Sequence, residues 1–474
     1  MTIAVAKPAG VSGSPINLAM DAPEGVLVTV HIKSLPDGWT IDGAVQQADG
    51  SWMVQTSDLG SLAVKTPSDY SGAEVLDVTA TWTNADGSTG LTYVSDNVEA
   101  FAPGNPIFAW SGDDTLTGSA NADMFVFSQP IGNDMVHSFD ASADVIDLIG
   151  YSGIGSFGDV LSHMADDAAG NAVITLADGQ SITLAGVSMS SLTAANFEFD
   201  VTPTVTNSGT ITIGDGAMLP LSGTIDNSGT IIVGSTGSPT LMQLIQNGIT
   251  LQGGGSVVMS DSSGNEISGT LPNVTLTNAD NTISGAGNLG GGSLTIVNGG
   301  TILADGVNAL VIDTGSNVVT NSGTIAATGL GGLQIAGGIA NDGLLLANGS
   351  SILIGGDVSG SGHVELSGGA TVEFAGGSTN AVALDSGATG LIVFDHSSSF
   401  TGSISGLNGD DRLDLRDLAF SADATLSYTD DGAGGGVLTV SDGARSVQLH
   451  LLGSYDATHF TLGADGQGGL TIFG

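Results

Sequence analysis

Cysteine is absent from the 474 residues, which removes disulfides, zinc–thiolate sites and thiol catalysis together. Basic residues are nearly absent too: Lys7, Lys33, Lys65, Arg412, Arg416 and Arg445 are all of them, with none between positions 66 and 411. Phosphate recognition needs clustered Lys and Arg, so a nucleic-acid partner is excluded. No run reaches the ~18 apolar residues of a membrane span, so membrane insertion is not expected. The opening MTIAVAKPAGVSGSP holds no apolar core of signal-peptide length. The absence of a Sec-type signal there does not exclude export by a route that reads the C-terminus.

What the chain does have is acid, glycine and apolar residues. Forty-eight acids give a formal charge of −42, yet 41% of the residues are hydrophobic, a mixture that argues against disorder. Glu occurs at only seven positions, so the remaining 41 of the 48 acids are Asp. Asp favours turns over helices and offers a short carboxylate to hard cations, so helix should be scarce, and calcium is the first cofactor to expect.

Composition shifts divide the chain into four parts. Residues 1–103 carry three of the four tryptophans and short alternating strands separated by Asp-Gly turns, which predicts an antiparallel β-sandwich. Residues 104–200 form a second β module. From 201 to 402 a short phrase recurs: NSGTI at Asn207 and Asn227, NGIT at Asn247, NGGTI at Asn298, NSGTI at Asn321 and NDGLL at Asn341. A period near 20 with β-branched pairs and Gly/Asn corners predicts a parallel β-solenoid of about ten rungs. Ile211, Ile213, Ile231, Val233, Ile352 and Ile354 should point inward, with Thr and Ser outward. Residues 403–474 form a C-terminal β module. The expected class is all-β throughout.

The densest chemical signal is WSGDDTLTGSANADMFVFSQPIGNDMVHSFDASADVIDL at 110–148. Gly112, Asp114 and Leu116 recur as Asn121, Asp123 and Phe125, nine residues later. This stretch resembles the calcium-binding nonapeptides of RTX (repeat-in-toxin) proteins. The resemblance implies a degenerate β-roll with Ca²⁺ ligands among Gly112, Asp113, Asp114, Asn121, Asp123, Asn133, Asp134, Asp140, Asp144 and Asp147. DRLDLRDLAF onward echoes DVIDLIGYS onward, which adds Asn408, Asp410, Asp411 and Asp414 as an equivalent acidic turn. Arg412 and Arg416 could equally neutralise these acids in surface pairs. The tail FTLGADGQGGLTIFG resembles the C-terminal signals of type I secretion substrates in RTX-related proteins. GSPINLAM, LPDGWTIDGAVQQADGSWMVQT and TPSDYSG resemble the cadherin- or immunoglobulin-like repeats of RTX adhesins. The NSGTI phrases are similar to those of filamentous-haemagglutinin-type passengers.

The expectation is a secreted, calcium-stabilised structural or adhesive protein of the bacterial cell surface, extracellular matrix or surface layer. It would be exported by type I secretion machinery, with itself (as a filament or array) or an extracellular polysaccharide as partner. The alternative is a polysaccharide-acting β-helix lyase, epimerase or glycosidase. Such chemistry needs a base, a uronate-neutralising cation or a carboxylate pair with aromatic platforms. Residues 202–400 offer no Lys, Arg or Tyr, and the acids Asp357, Glu365 and Glu373 stand with only His363 and His396. No enzyme is expected.

Overall fold

The structure is a computed structural model, and it describes residues 4–20, 22, 23, 25–176, 179–385, 387 and 389–473. Half the chain is strand and 5% is helix, so the all-β class holds. The chain divides into two compact units: Met1–Gly234 with Ser238–Ile249, and Ser235–Gly237 with Thr250–Gly474. Parallel β-solenoid is present in both, with about 14 turns in all rather than ten. The excess arises because parallel pairing does not begin at 201. Strands at 107–149 already stack in parallel, Thr115–Thr117 on Asn133–His137 and Met124–Ser128 on Val145–Ile149.

In the first unit, Val28–Ile32, Trp52–Thr56, Gly72–Thr83 and Thr89–Phe101 pair antiparallel, and Ala63–Lys65 pairs antiparallel with both Pro15–Asn17 and Thr40–Ile41. Together they enclose an apolar core that includes Ile16, Val30, Trp39, Val64, Val78 and Val98. Alternation explains it: strand Val28–Ile32 buries its first, third and fifth residues. This sandwich is spliced into the solenoid ladder. One register column runs Leu116, Ala9, Glu99, Ala73, Ile213, Val233, so strands before residue 102 lie between the coil at 115–117 and the rung at 210–213. Two asparagines reinforce the splice, each pairing with both backbone groups of one residue. Asn97 does so with Met218 (2.8 and 2.9 Å), and Asn105 with Thr206 (3.0 and 3.1 Å).

The second unit repeats three strand series per turn. In one, Val257, Ile283, Ile302, Ile325, Leu345, Val364, Val382 and Ile404 form an unbroken inward column, every member buried. The six inward positions expected from the sequence are likewise buried. Parallel stacking stops at a C-terminal antiparallel sheet. Ser446–Leu452 lies parallel to Ser403–Ser405 and then pairs antiparallel with Gly435–Ser441, while Gly469–Phe473 runs antiparallel to Arg412–Ala419.

The repeat's Asn has a physical role that its phrase did not disclose. Asn278, Asn298, Asn321 and Asn341 are buried inside successive turns, and each Nδ2 donates to the next Oδ1 at 2.6–2.9 Å. Asn341 continues the ladder to Asn380 at 2.7 Å, and Asn207 donates to Asn227 at 2.7 Å in the first unit. Among the described residues no helix is long and apolar enough to cross a membrane.

Candidate functional site

The acidic turns are built on one recurring bond pattern. A buried Asp at the start of an inward strand accepts a backbone N–H from three or four residues earlier, closing its own turn. It or its partner also accepts an N–H from the neighbouring turn. Asp114 accepts Trp110 N–H, and its own N–H donates to Asp134 Oδ1 at 2.9 Å. Asp123 accepts Ser119 N–H and hydroxyl, and its N–H donates to Asp144 Oδ1 at 2.9 Å. Asp144 Oδ2 accepts Asp140 N–H at 2.8 Å. Asp411 does the same work in the second unit, with Gly390 N–H at 2.6 Å and Asn408 N–H at 2.8 Å. Carboxylate–amide bonds of this kind are charge-assisted, and at 140–144 and 408–411 they add to backbone bonds from Asp144 N–H to Asp140 O (2.8 Å) and from Asp411 N–H to Asn408 O (2.9 Å).

The other expected ligands have identifiable partners. Asp113 Oδ1 accepts Asn133 N–H at 2.7 Å, and Asn133 Oδ1 accepts the Ser181 hydroxyl at 2.9 Å. Asp140 takes both groups of Ser142, at 2.9 and 2.7 Å. The exposed Asn121 donates its N–H to Ser119 Oγ, Asp410 N–H bonds Asn408 Oδ1 at 3.1 Å, and Gly112 lies beside Lys7, whose Nζ sits 3.3 Å from where a Cβ would stand. Asp147 is buried in register with Glu198. Asp414 faces Arg416 (3.8 Å), which also pairs with Glu373 (2.6 Å) and Asp395 (3.0 Å). The structure therefore brings Asp113, Asp114, Asn133 and Asp134 together, and separately Asp123, Asp140 and Asp144, and Asn408, Asp410 and Asp411. Among the described residues no group of three or more His, Asp or Glu side chains is placed to hold a metal ion.

Four of these carboxylates keep a buried oxygen without a hydrogen-bond partner: Asp114 Oδ1, Asp134 Oδ2, Asp147 Oδ2 and Asp414 Oδ1. Burial pushes Asp134 up to about 9, helped by the charge of Asp114, and Asp114 up to about 7, with Lys7 opposing. Burial raises Asp147 to about 6 and also raises Asp144, Asp411 and Asp414. Asp140, bonded to the Ser142 hydroxyl, is held below the usual range.

Sequence reasoning passed over Glu99. It is fully buried in the spliced column, accepts from Trp110 Nε1 and from Asn97 Nδ2 (2.8 Å), and leaves Oε2 unpartnered. Burial and then the Asp114 charge raise its carboxyl well above the normal range. Lys7 lies over the Trp110 ring at 4.9 Å. Apart from Asn97, nothing local marks Glu99, since its other neighbours come from residues 7, 110 and 114.

The acids considered for glycoside chemistry do not gather. Glu365 pairs with His363 at 3.2 Å on one strand series, Glu373 pairs with Arg416 on another, and Asp357 accepts Gly377 N–H at 2.8 Å.

Compared with known proteins, the chain matches no protein-family model, and no curated protein is significantly similar to it. The fold defines the class: a parallel β-solenoid protein, compatible with an RTX-type β-helix protein.

Proposed function

We propose that this chain is a structural or adhesive scaffold of the bacterial cell surface or extracellular matrix, exported by a type I route. The observation that carries this reading is the solenoid's chemistry. Five successive strands of one series (SVVM, TIS, TILA, TIAA and LLLAN, within 256–348) stack in register without a single charged residue, on a chain of net charge −42. Beside these five strands acid stands at corners such as Asp280, Asp305 and Asp342, and it enters the same series only at the next strand, with Glu365. A neutral, regular face beside acidic corners suits lateral contact with copies of itself or with a polymer.

Calcium belongs to the proposal at the carboxylates that keep a free oxygen. Asp114, Asp134 and Asp147 in the first unit, and Asp414 in the second, would hold it. Bound there, the ion would neutralise buried charge and add stability by mass action. In the turns that pair Asp123 with Asp144, and in the turn at 408–411, the carboxylates already accept backbone N–H groups. Antibody labelling of intact, unpermeabilised source cells tests the location. Surface signal that disappears with the gene, together with weaker cell-layer cohesion, is expected; signal only after permeabilisation would overturn the proposal.

A further inference from the structure

The antiparallel pairing at the C-terminus of the second unit ends on an open edge. Strand Thr425–Asp430, sequence TLSYTD, pairs along its whole length with Gly435–Ser441 and with no strand on its other side. Among the described residues it is the longest strand paired on one side only. Asp431 N–H donates to Gly435 O at 3.0 Å, which sets the alternation of the ladder. Thr429, Ser427 and Thr425 therefore bond with Val437, Thr439 and Ser441. The N–H and C=O groups of Leu426, Tyr428 and Asp430 point the other way, along the open edge. Exposed edges are usually blunted by lysine, proline, a bulge or short length. This one has no lysine, no proline and an unbroken register, and its residues from 425 to 429 are uncharged. The Tyr428 ring, packed on Phe460 at 5.8 Å and Tyr455 at 6.1 Å, holds the strand in place. By contrast, Thr461–Ala464, the other one-sided strand of the C-terminal module, has four residues and contains Gly463.

We infer that this edge joins two copies of the chain, strand Thr425–Asp430 of each running antiparallel to the other about a two-fold axis at Tyr428. The three outward residues are symmetric about Tyr428, so that register bonds all of them: Tyr428 to its own counterpart, and Leu426 to Asp430 in both directions. It also sets Asp431 against Thr425, so no carboxylate faces another. On the exposed face, Ser427 of one copy stands opposite Thr429 of the other as a non-hydrogen-bonded pair, with Cβ atoms about 4.5–5.5 Å apart. An isologous contact of this kind closes as a dimer. The inference deepens the scaffold reading, naming the partner as a second copy, and rests on it. Association of the purified protein is nonetheless read separately from where the cell places the chain.

The test is analytical ultracentrifugation of the full chain in EGTA with high sodium chloride, which screens the charge of −42 while withholding calcium. Wild type should show a concentration-dependent dimer. Ser427→Asp with Thr429→Asp places like charges face to face twice across the axis, and should weaken the dimer about tenfold. Ser427→Asp with Thr429→Lys carries charge at the same two exposed positions but sets opposite signs face to face, so the dimer should persist. Because the chain has no cysteine, the register can also be read covalently. Ser427→Cys mixed with Thr429→Cys should give a disulfide-linked dimer under mild oxidation. Thr89→Cys, exposed in the first unit, should give none when mixed with either. Circular dichroism checks that each variant keeps its fold. Three outcomes would each overturn the inference: a wild type that stays monomeric at every concentration, the two charge variants dimerising alike, or cysteines at 427 and 429 cross-linking no better than Thr89→Cys. A monomer in this buffer beside calcium-dependent fibres would remove the edge contact and leave the scaffold reading standing.

Discussion

Asn321 shows how a single side chain supports a turn. Its Nδ2 donates to Asn341 Oδ1 at 2.6 Å and its Oδ1 accepts Asn298 Nδ2 at 2.8 Å, inside a column sealed from water. Replacing it with Ala leaves the Asn341 Oδ1 acceptor without its donor and takes one of three acceptors from Asn298 Nδ2, which keeps Gly300 O and Thr324 O at 3.2 Å. Asn321→Ala should cost ~1–3 kcal/mol, measured by urea unfolding followed by circular dichroism. Asp96 is a residue of the opposite kind. It is fully buried in the sandwich, neither carboxylate oxygen has a hydrogen-bond partner, and burial raises its pKa to about 8. The fold favours the protonated form. Its contribution to stability is therefore fully present below about pH 4 and is lost as pH rises towards and through 8. Asp96→Asn should raise the melting temperature at pH 9 relative to wild type and flatten the fall between pH 4 and 9. A variant whose melting curve keeps the wild-type pH dependence would show that Asp96 does not titrate in that window.

At the scale of elements, the splice between sandwich and solenoid depends on close backbone approach. Gly72 has φ +136°, and a Cβ there would overlap the Thr212 carbonyl oxygen across the parallel pairing of Gly72–Ala73 with Thr212–Ile213. Gly72→Ala should loosen this junction and expose the first unit to limited proteolysis, whereas Gly209→Ala, with open space around it, should be tolerated. The rungs were legible in the sequence because each inward pair, such as Ile352 and Ile354, repeats its pattern locally. The splice was not, because Ala73 and Ile213 lie 140 positions apart and nothing in either strand names its neighbour. The acidic turns were half legible. Their spacing gave the Asp positions, but residue type does not decide whether a carboxylate takes an ion or a backbone N–H, and Asp144 takes two N–H groups. The Asn ladder was visible only as a phrase, since an Asn at a corner reads equally well as a turn former.

For the whole molecule the governing quantity is a charge of −42 carried chiefly by turns, with six basic residues to offset it. Self-repulsion of this size opposes the compact state and weakens as ions screen it. Millimolar calcium should raise the melting temperature more than the same ionic strength of sodium, and an unchanged melting temperature after thorough EGTA treatment would remove calcium from the account. The same charge keeps copies apart, so lateral assembly through the neutral strands at 256–348 should need cations. Electron microscopy of the purified chain, with calcium and then with EGTA, tests the scaffold reading most directly. Ordered fibres or sheets that form with calcium are predicted; dispersed single molecules under both conditions would contradict it.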